Sequence, residues 1–249
     1  MYQTIELERA KGYALITFNR PERLNALTPQ LIDEFVHALG ALDADAEIQA
    51  VIITGKGRAF CSGLDVDILM ASGDQPFRDR NPAAAISNFR GAVIAAINGA
   101  AATGGFEMTV ACDIILAAES ARFVDTHSRI GLVPGWGLSA RLQRAIGIYR
   151  AKELEMTGRP LFAREAEAWG LVNRVLPDRE LLPAARAMAE MIAAGAPGIV
   201  APTKALIDGG SRLPLGEALK FEQDFAEQRN LTVEPDQILV GNVGSRGRR

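Results

Sequence analysis

Residues 92–118 read AVIAAINGAAATGGFEMTVACDIILAA, and how this run is parsed decides the fold. Its length and apolarity match a membrane span, but Asn98, Glu107, Asp113 and its glycines interrupt it, and buried acids are costly in hydrocarbon. Cut at those residues, the run becomes two buried strands, Ile94 to Ile97 and Ile114 to Ala117, with a helix from about Gly105 to Ala111 between them. Its many Ala and Gly residues fit close packing inside a protein.

The segments upstream repeat the same alternation of elements. Thr4 to Leu7 and Gly12 to Phe18 alternate in polarity and break at Asn19-Arg20-Pro21, as a hairpin entering a turn does. Thr28 and Pro29 then supply an N-cap and a first helical position, and Leu31, Ile32, Phe35, Leu39 and Leu42 come after them at helical spacing. A buried strand, Ala50 to Thr54, ends in Gly55-Lys56-Gly57. Strand, helix, strand in that order predicts parallel crossover architecture, an α/β class. Residues 72–82, rich in Asp, Gly, Pro and Arg, predict a surface loop before a helix through Phe89. Beyond Pro134 the periodicity is helical: Ser139 to Ile146, Ala151 to Met156, Ala163 to Trp169, Leu181 to Ala194, Pro202 to Ile207 and Leu215 to Arg229.

Composition narrows the classes of function. With 249 residues, 48% of them hydrophobic, the chain can bury one sizeable core, with or without a small appendage. Acids outnumber bases 30 to 27, and the only basic cluster is Arg246, Arg248 and Arg249, which argues against a nucleic-acid partner. Cys61 and Cys112 form no C-x-x-C pair, so neither a disulfide framework nor a zinc site is expected, and no other metal is called for. Charged residues among the first nine positions rule out the apolar region of a signal peptide there, and the expected location is the cytoplasm, without membrane contact.

Two glycine-bearing segments carry the chemistry. Residues 59–65 read Ala-Phe-Cys-Ser-Gly-Leu-Asp, and residues 98–107 end in Thr-Gly-Gly-Phe-Glu. Each can bare backbone N–H groups, and two amides converging on one carbonyl oxygen would stabilise an enolate. The second segment runs into an apolar stretch with one acid, Glu107. Phe106, Met108 and Val110 would desolvate that carboxyl and raise its pKa, which suits proton exchange near neutral pH.

These residues, with Asn19-Arg20-Pro21-Glu22, Leu24-Asn25-Ala26-Leu27, Gly131-Leu132-Val133-Pro134-Gly135, Thr157-Gly158-Arg159 and Gly170-Leu171-Val172, resemble the crotonase family of enoyl-CoA hydratases and isomerases over nearly the whole chain. The resemblance implies a ββα spiral core over residues 1–195 and a helical C-terminal region over 196–249. It implies assembly as a homotrimer or a dimer of trimers, and an acyl-CoA thioester as substrate, with coenzyme A part of that substrate and no separate cofactor. It places the oxyanion hole on the N–H groups of Leu64 and Gly104 and the first catalytic glutamate on Glu107. Arg23, Leu24, Ser62, Asp65, Trp136 and Lys204 become candidate substrate contacts, with Asp65 fixing its own loop through backbone amides.

The chain departs from the family pattern where the second catalytic glutamate belongs, at His127. Histidine exchanges protons at neutral pH. Three readings are open: a hydratase using Glu107 and His127, an isomerase using Glu107 alone, or a changed substrate that His127 merely contacts. Asp125 either orients His127 or faces solvent. Outside the enzymes of this family stand a non-catalytic acyl-CoA binder and an NAD-dependent enzyme. The latter rests on Gly135-Trp136-Gly137-Leu138-Ser139-Ala140, which fits G-x-G-x-x-G/A, with Glu155 about twenty residues on. Pro134 immediately before it spoils the strand such a motif needs. The Gly-rich ending, Val233 to Arg249, is a second departure and is read as a tail.

Overall fold

In the computed structural model, which describes residues 2–231 and 233, the run at 92–118 does divide into strands and a helix, and two sheets rather than one receive them. The first sheet has the order β1-β2-β3-β5-β7-β10. Its strands are β1 (Ile5–Ala10), β2 (Tyr13–Phe18), β3 (Ala50–Gly55), β5 (Ala92–Ile97), β7 (Ile114–Ala118) and β10 (Arg174–Leu176). Only β1 and β2 pair antiparallel, as a hairpin; every later pairing is parallel, from Tyr13 beside Ala50 to Leu176 beside Ala118. All six residues of β3 and of β5 are buried, as strands covered on both faces must be.

The second sheet, order β4-β6-β8-β9, comprises β4 (Ala59–Cys61), β6 (Ala100–Ala102), β8 (Arg122–Val124) and β9 (Leu161–Phe162). Here β4, β6 and β8 run parallel and β9 antiparallel. Each turn of the chain therefore lays one strand in the first sheet, the next in the second, and then a helix. The pairs β3/β4, β5/β6 and β7/β8 lead respectively into α2 (Val66–Ser72) with α3 (Pro82–Asn88), into α4 (Gly104–Val110) and into α5 (His127–Ile130). This is the ββα spiral that the family resemblance implies.

Local sequence explains the elements. In α1 (Pro29–Asp43) the Thr28 hydroxyl accepts the Leu31 N–H at 3.1 Å, and Leu31, Ile32, Phe35, Ala38, Leu39 and Leu42 form the buried stripe. Phe18, Phe35 and Phe60 meet edge-on beneath it. On α9 (Asp178–Ala193), Leu181, Ala185 and Ala189 are buried at four-residue spacing, and the helix packs on β3, β5 and β7. Asn25, fully buried at φ +56°, ties the first turns together: its amide oxygen accepts the Arg20 N–H, and its amide nitrogen donates to the carbonyls of Lys56 and Ala59.

The remaining helices are α6 (Leu138–Ile146), α7 (Ile148–Thr157), α8 (Ala163–Ala168), α10 (Val200–Gly210) and α11 (Leu215–Asn230). The expected loop over 72–82 holds a 3-10 turn, Gln75–Phe77, whose Phe77 is buried. Contacts divide the chain into two compact units, up to Ala193 and from Ala194 onward. In the second unit α10 and α11 pack together, with Gly209 against the Phe221 ring. The tail at 234–249 lies outside the described residues. Among those described, no helix is long and apolar enough to cross a membrane.

Candidate active site

Three neighbouring parallel strands end on one side of the second sheet, and the residues just past those ends make up the candidate site. After β4 come Gly63 and Leu64; after β6, Thr103 and Gly104; after β8, Asp125 and His127. Segments forty and twenty-three residues apart in sequence thus arrive on adjacent strands, each about 4.8 Å from the next.

Two amides are bared there. Leu64 is held by a parallel bridge in which Leu27 N–H donates to the Gly63 carbonyl at 2.8 Å and Asp65 N–H to the Leu27 carbonyl at 2.9 Å. The Leu64 N–H consequently faces away from Leu27. Gly104 opens α4, where the first N–H groups lack intrahelical acceptors. Neither amide has a hydrogen-bond acceptor among the described residues. The two segments abut: a Cβ added to Gly63, which sits at φ +92°, would lie 3.4 Å from the Gly104 nitrogen. Between the bared amides lies a strained residue. Thr103 adopts φ +52°, ψ −113°, a conformation costly for a β-branched side chain, held by its N–H to the Val124 carbonyl and its hydroxyl to that of Thr126 at 2.5 Å.

Glu107 lies one turn further along α4 and is 3% exposed. One carboxylate oxygen, Oε1, accepts the Trp136 N–H at 2.6 Å; the other, Oε2, faces His127 Nε2 at 3.8 Å, too far for a hydrogen bond. Burial pushes the Glu107 carboxyl above its ordinary value; the Trp136 N–H and the His127 ring oppose this only in part. The Trp136 peptide is clamped at both ends, because its carbonyl accepts from Arg141 Nη1 at 2.9 Å while Arg141 Nη2 holds the Ser87 hydroxyl at 2.8 Å.

His127 opens α5 and is buried. Its Nδ1 lies 2.6 Å from Asp125 Oδ1, and its backbone N–H donates to the same oxygen at 3.0 Å. Asp125 is 1% exposed, so it does not face solvent. With Nδ1 against the Asp125 carboxylate, Nε2 is the ring nitrogen left toward Glu107.

Leu64, Gly104, Glu107, His127 and Trp136 line one cavity of about 310 Å³, walled also by Phe77, Leu132 and Val133. Arg78, Asn81 and Asp74 stand on the cavity wall as well, although the sequence marks the segment bearing them only as a surface loop.

Other expected contacts lie elsewhere. Asp65 caps α2 through the Asp67 N–H and pairs with Arg20 at 3.1 Å and Arg23 at 3.6 Å. Burial alone would raise its carboxyl, but the Arg20 hydrogen bond and the two cationic charges outweigh that and hold it below its ordinary value. Arg23 also pairs with Asp67. Leu24 is in the left-handed region, φ +52°, and its carbonyl accepts the Ser62 N–H. None of Arg23, Leu24, Ser62 and Asp65 is among the residues walling the cavity. Lys204 lies on α10 in the second unit. The glycine motif at 135–140 comes after α5 and a turn rather than a strand, and Glu155 accepts the Ser139 hydroxyl, so the nucleotide geometry is not formed.

Known proteins share this sequence and architecture. The family model described as enoyl-CoA hydratase/isomerase matches residues 8–234. A relative from Arabidopsis thaliana named probable enoyl-CoA hydratase 1, peroxisomal, is 42% identical over 240 residues, covering 95% of this chain and 91% of its own. A crystal structure of an enoyl-CoA hydratase from Bacillus anthracis superposes with a TM-score of 0.86 at 34% identity, covering 92% of each chain. A monofunctional enoyl CoA isomerase from M. smegmatis superposes at 0.75 with 35% identity, covering 87% of this chain and 98% of that one.

Proposed function

The chain belongs to the enoyl-CoA hydratase/isomerase family, and from that premise we propose that it adds water across the double bond of a 2-enoyl-CoA thioester. One observation carries the choice of hydration: two groups able to carry protons, Glu107 on α4 and His127 at the start of α5, face each other across 3.8 Å in the cavity that Leu64 and Gly104 also line. Two atoms that far apart can both contact a single water.

In this reading the thioester oxygen accepts the N–H groups of Leu64 and Gly104. Without them the β-carbon is poorly electrophilic, and each such donor typically lowers the barrier by roughly 3 kcal/mol. Glu107 takes a proton from water as its oxygen bonds to the β-carbon, and the π electrons move onto the thioester as an enolate. His127 then delivers the Nε2 proton to the α-carbon. One hydroxyl and one hydrogen are gained, and the product is a 3-hydroxyacyl-CoA. The proton held by Glu107 passes back to His127 through solvent, which resets the site. The raised carboxyl of Glu107 strengthens it as a base. Trp136 walls the acyl side, and Arg23 and Lys204 remain candidates for the coenzyme phosphates.

Isomerisation is the second reading, favoured by the similarity to the M. smegmatis isomerase. It passes through the same enolate but needs one proton shuttle. Incubating 2-enoyl-CoA and 3-enoyl-CoA separately with the protein, then analysing the products by mass spectrometry and chromatography, decides between them. Gain of one water from the 2-enoyl substrate, lost in Glu107→Gln and His127→Ala, supports hydration; a shifted double bond without added water makes the protein an isomerase. The accompanying proposals are a homotrimer or dimer of trimers, tested by light scattering, and a cytoplasmic location, tested by fractionation.

A further inference from the structure

Among the described residues, the buried side-chain atom left without a hydrogen-bond partner belongs to the Asp125 carboxylate. It is buried to 1% exposure, one oxygen accepts two hydrogen bonds, and the other, Oδ2, has no partner among the described residues. Leaving a buried carboxylate oxygen unsatisfied is unfavourable, and a residue needed only to stabilise the turn through the His127 N–H would do so as Asn or Ser without a buried charge.

We infer that Asp125 is a positioning residue for His127: it holds the ring as the Nδ1–H form with Nε2 toward the cavity, and its charge sustains the imidazolium from which the α-carbon is protonated. The inference rests on the hydration reading for its second half and on geometry alone for its first. The carboxylate oxygen lies 2.6 Å from Nδ1 and is simultaneously fixed by the backbone N–H of the same residue, so ring and carboxylate cannot rotate apart independently. A histidine carries a proton to substrate only if the correct nitrogen bears it, and that is set by the bond the other nitrogen makes.

Charged groups approach the ring from several elements, and Asp74 and Arg78, paired with each other at 3.2 Å, line the same cavity. Asp125 approaches Nδ1 and Glu107, from α4, approaches Nε2. Arg129, on the histidine's own helix, turns to the Thr157 carbonyl on α7. On α7 itself Glu153 is paired with Arg159 and Glu155 is bonded to Ser139, while Arg141 of α6 is engaged by Trp136 and Ser87.

Asn is the discriminating substitution. Two N–H groups converge on the Oδ1 position, so an amide must present its oxygen there and place its NH2 where Oδ2 now sits. Asp125→Asn therefore keeps the ring form and removes only the charge, whereas Asp125→Ala removes both. The chain has two histidines, His37 and His127, and His37 is a surface residue bonded to Tyr2. In ¹⁵N-histidine-labelled His37→Gln protein, every ring signal belongs to His127.

The expected spectrum shows a protonated-type Nδ1 and an Nε2 that changes type on titration, retained in Asp125→Asn and lost in Asp125→Ala. Hydration by Asp125→Asn should fall roughly tenfold or more in kcat at neutral pH with KM and Tm near those of the unsubstituted protein, and the basic limb of kcat/KM should move to lower pH. A bare Nδ1 overturns the inference, as does an unmoved basic limb with kcat within about twofold of the unsubstituted protein. A protein that hydrates no 2-enoyl-CoA sinks the hydration reading and the proton-delivery half with it, while the spectrum still decides the first half.

Discussion

Gly104→Ala tests the site at its tightest point. A Cβ on Gly104 would stand 2.9 Å from Trp136 Cζ3 and 3.2 Å from Leu27 Cδ1. Leu27 is fully buried and its backbone is pinned by the bridge to Leu64, so the half-buried indole is the group that must yield. Restoring ordinary contact at 3.4 Å requires a displacement of 3.4 − 2.9 = 0.5 Å at least. That movement is transmitted, because the Trp136 N–H is the donor that fixes Glu107 Oε1 at 2.6 Å. If 1 Å of misplacement costs about a hundredfold, half an ångström predicts a loss of about tenfold in kcat, or about 1.4 kcal/mol of barrier. Folding should lose at most about 2 kcal/mol: overpacking costs typically about 1–3 kcal/mol, offset by about 1 kcal/mol from replacing Gly in a helix. Steady-state hydration of a 2-enoyl-CoA with a melting curve on the same sample is the assay. Adding Trp136→Leu should recover most of the loss by making room. Unchanged kcat in Gly104→Ala would refute the coupling of Trp136 to Glu107, and an unrecovered double variant would place the damage at the amide itself.

Arg141→Met removes the clamp on the Trp136 carbonyl and should lower kcat by roughly fivefold, about 1 kcal/mol, with KM little changed, read from initial rates. Asn25→Ala breaks three side-chain hydrogen bonds at a fully buried position and should destabilise the fold by about 3 kcal/mol in urea titration. Glu107→Gln should be inactive yet more stable at neutral pH. Because the folded carboxyl titrates above its unfolded value of 4.5, the stability it contributes is full below that pH and is lost as pH rises through the folded value. Glutamine has no such loss, so the Tm difference should grow in the variant's favour from pH 4 to neutrality; a constant difference would show that Glu107 is not held above its ordinary value.

What the sequence revealed depended on how far each signal reaches. The Thr28 cap, the stripe of α1 and the apolar runs of β3, β5 and β7 are local, and they are readable as such. The strands of the second sheet are two or three residues long, too short for any period to register; Ala100–Ala102 is indistinguishable from a helical turn until Ala59–Cys61 and Arg122–Val124 are laid beside it. Charged side chains were ambiguous for a similar reason. Nothing in the type of Arg23 or Asp65 says whether it meets a phosphate or another side chain, and in the structure these two lie 3.6 Å apart. Arg141 carried no signal at all, because its role exists only through the carbonyl of Trp136.

The sheet that is hardest to read is the one on which function depends. Parallel strands point their carboxyl ends the same way, and ligands of α/β proteins gather at such ends. Here β4, β6 and β8 are consecutive neighbours, and each ends two or three residues before a proposed site residue, Leu64, Gly104 and His127 respectively. Their brevity suits the site, since a ladder continued past Gly63 and Thr103 would pair the Leu64 and Gly104 amides that the proposed mechanism needs bare. Positive φ at Gly63 and Thr103 breaks the ladder at those points, and the bond from Thr103 N–H to Val124 marks its last rung. The Leu64 and Gly104 amides proposed as oxyanion donors, and His127, are therefore brought into mutual register by main-chain pairing, with the Asp125 carboxylate and the Thr103–Thr126 hydroxyl pair adding side-chain support, while Glu107 reaches them from the helix that β6 runs into. Substitutions of side chains can retune this arrangement, but only a change in strand length or pairing can dismantle it.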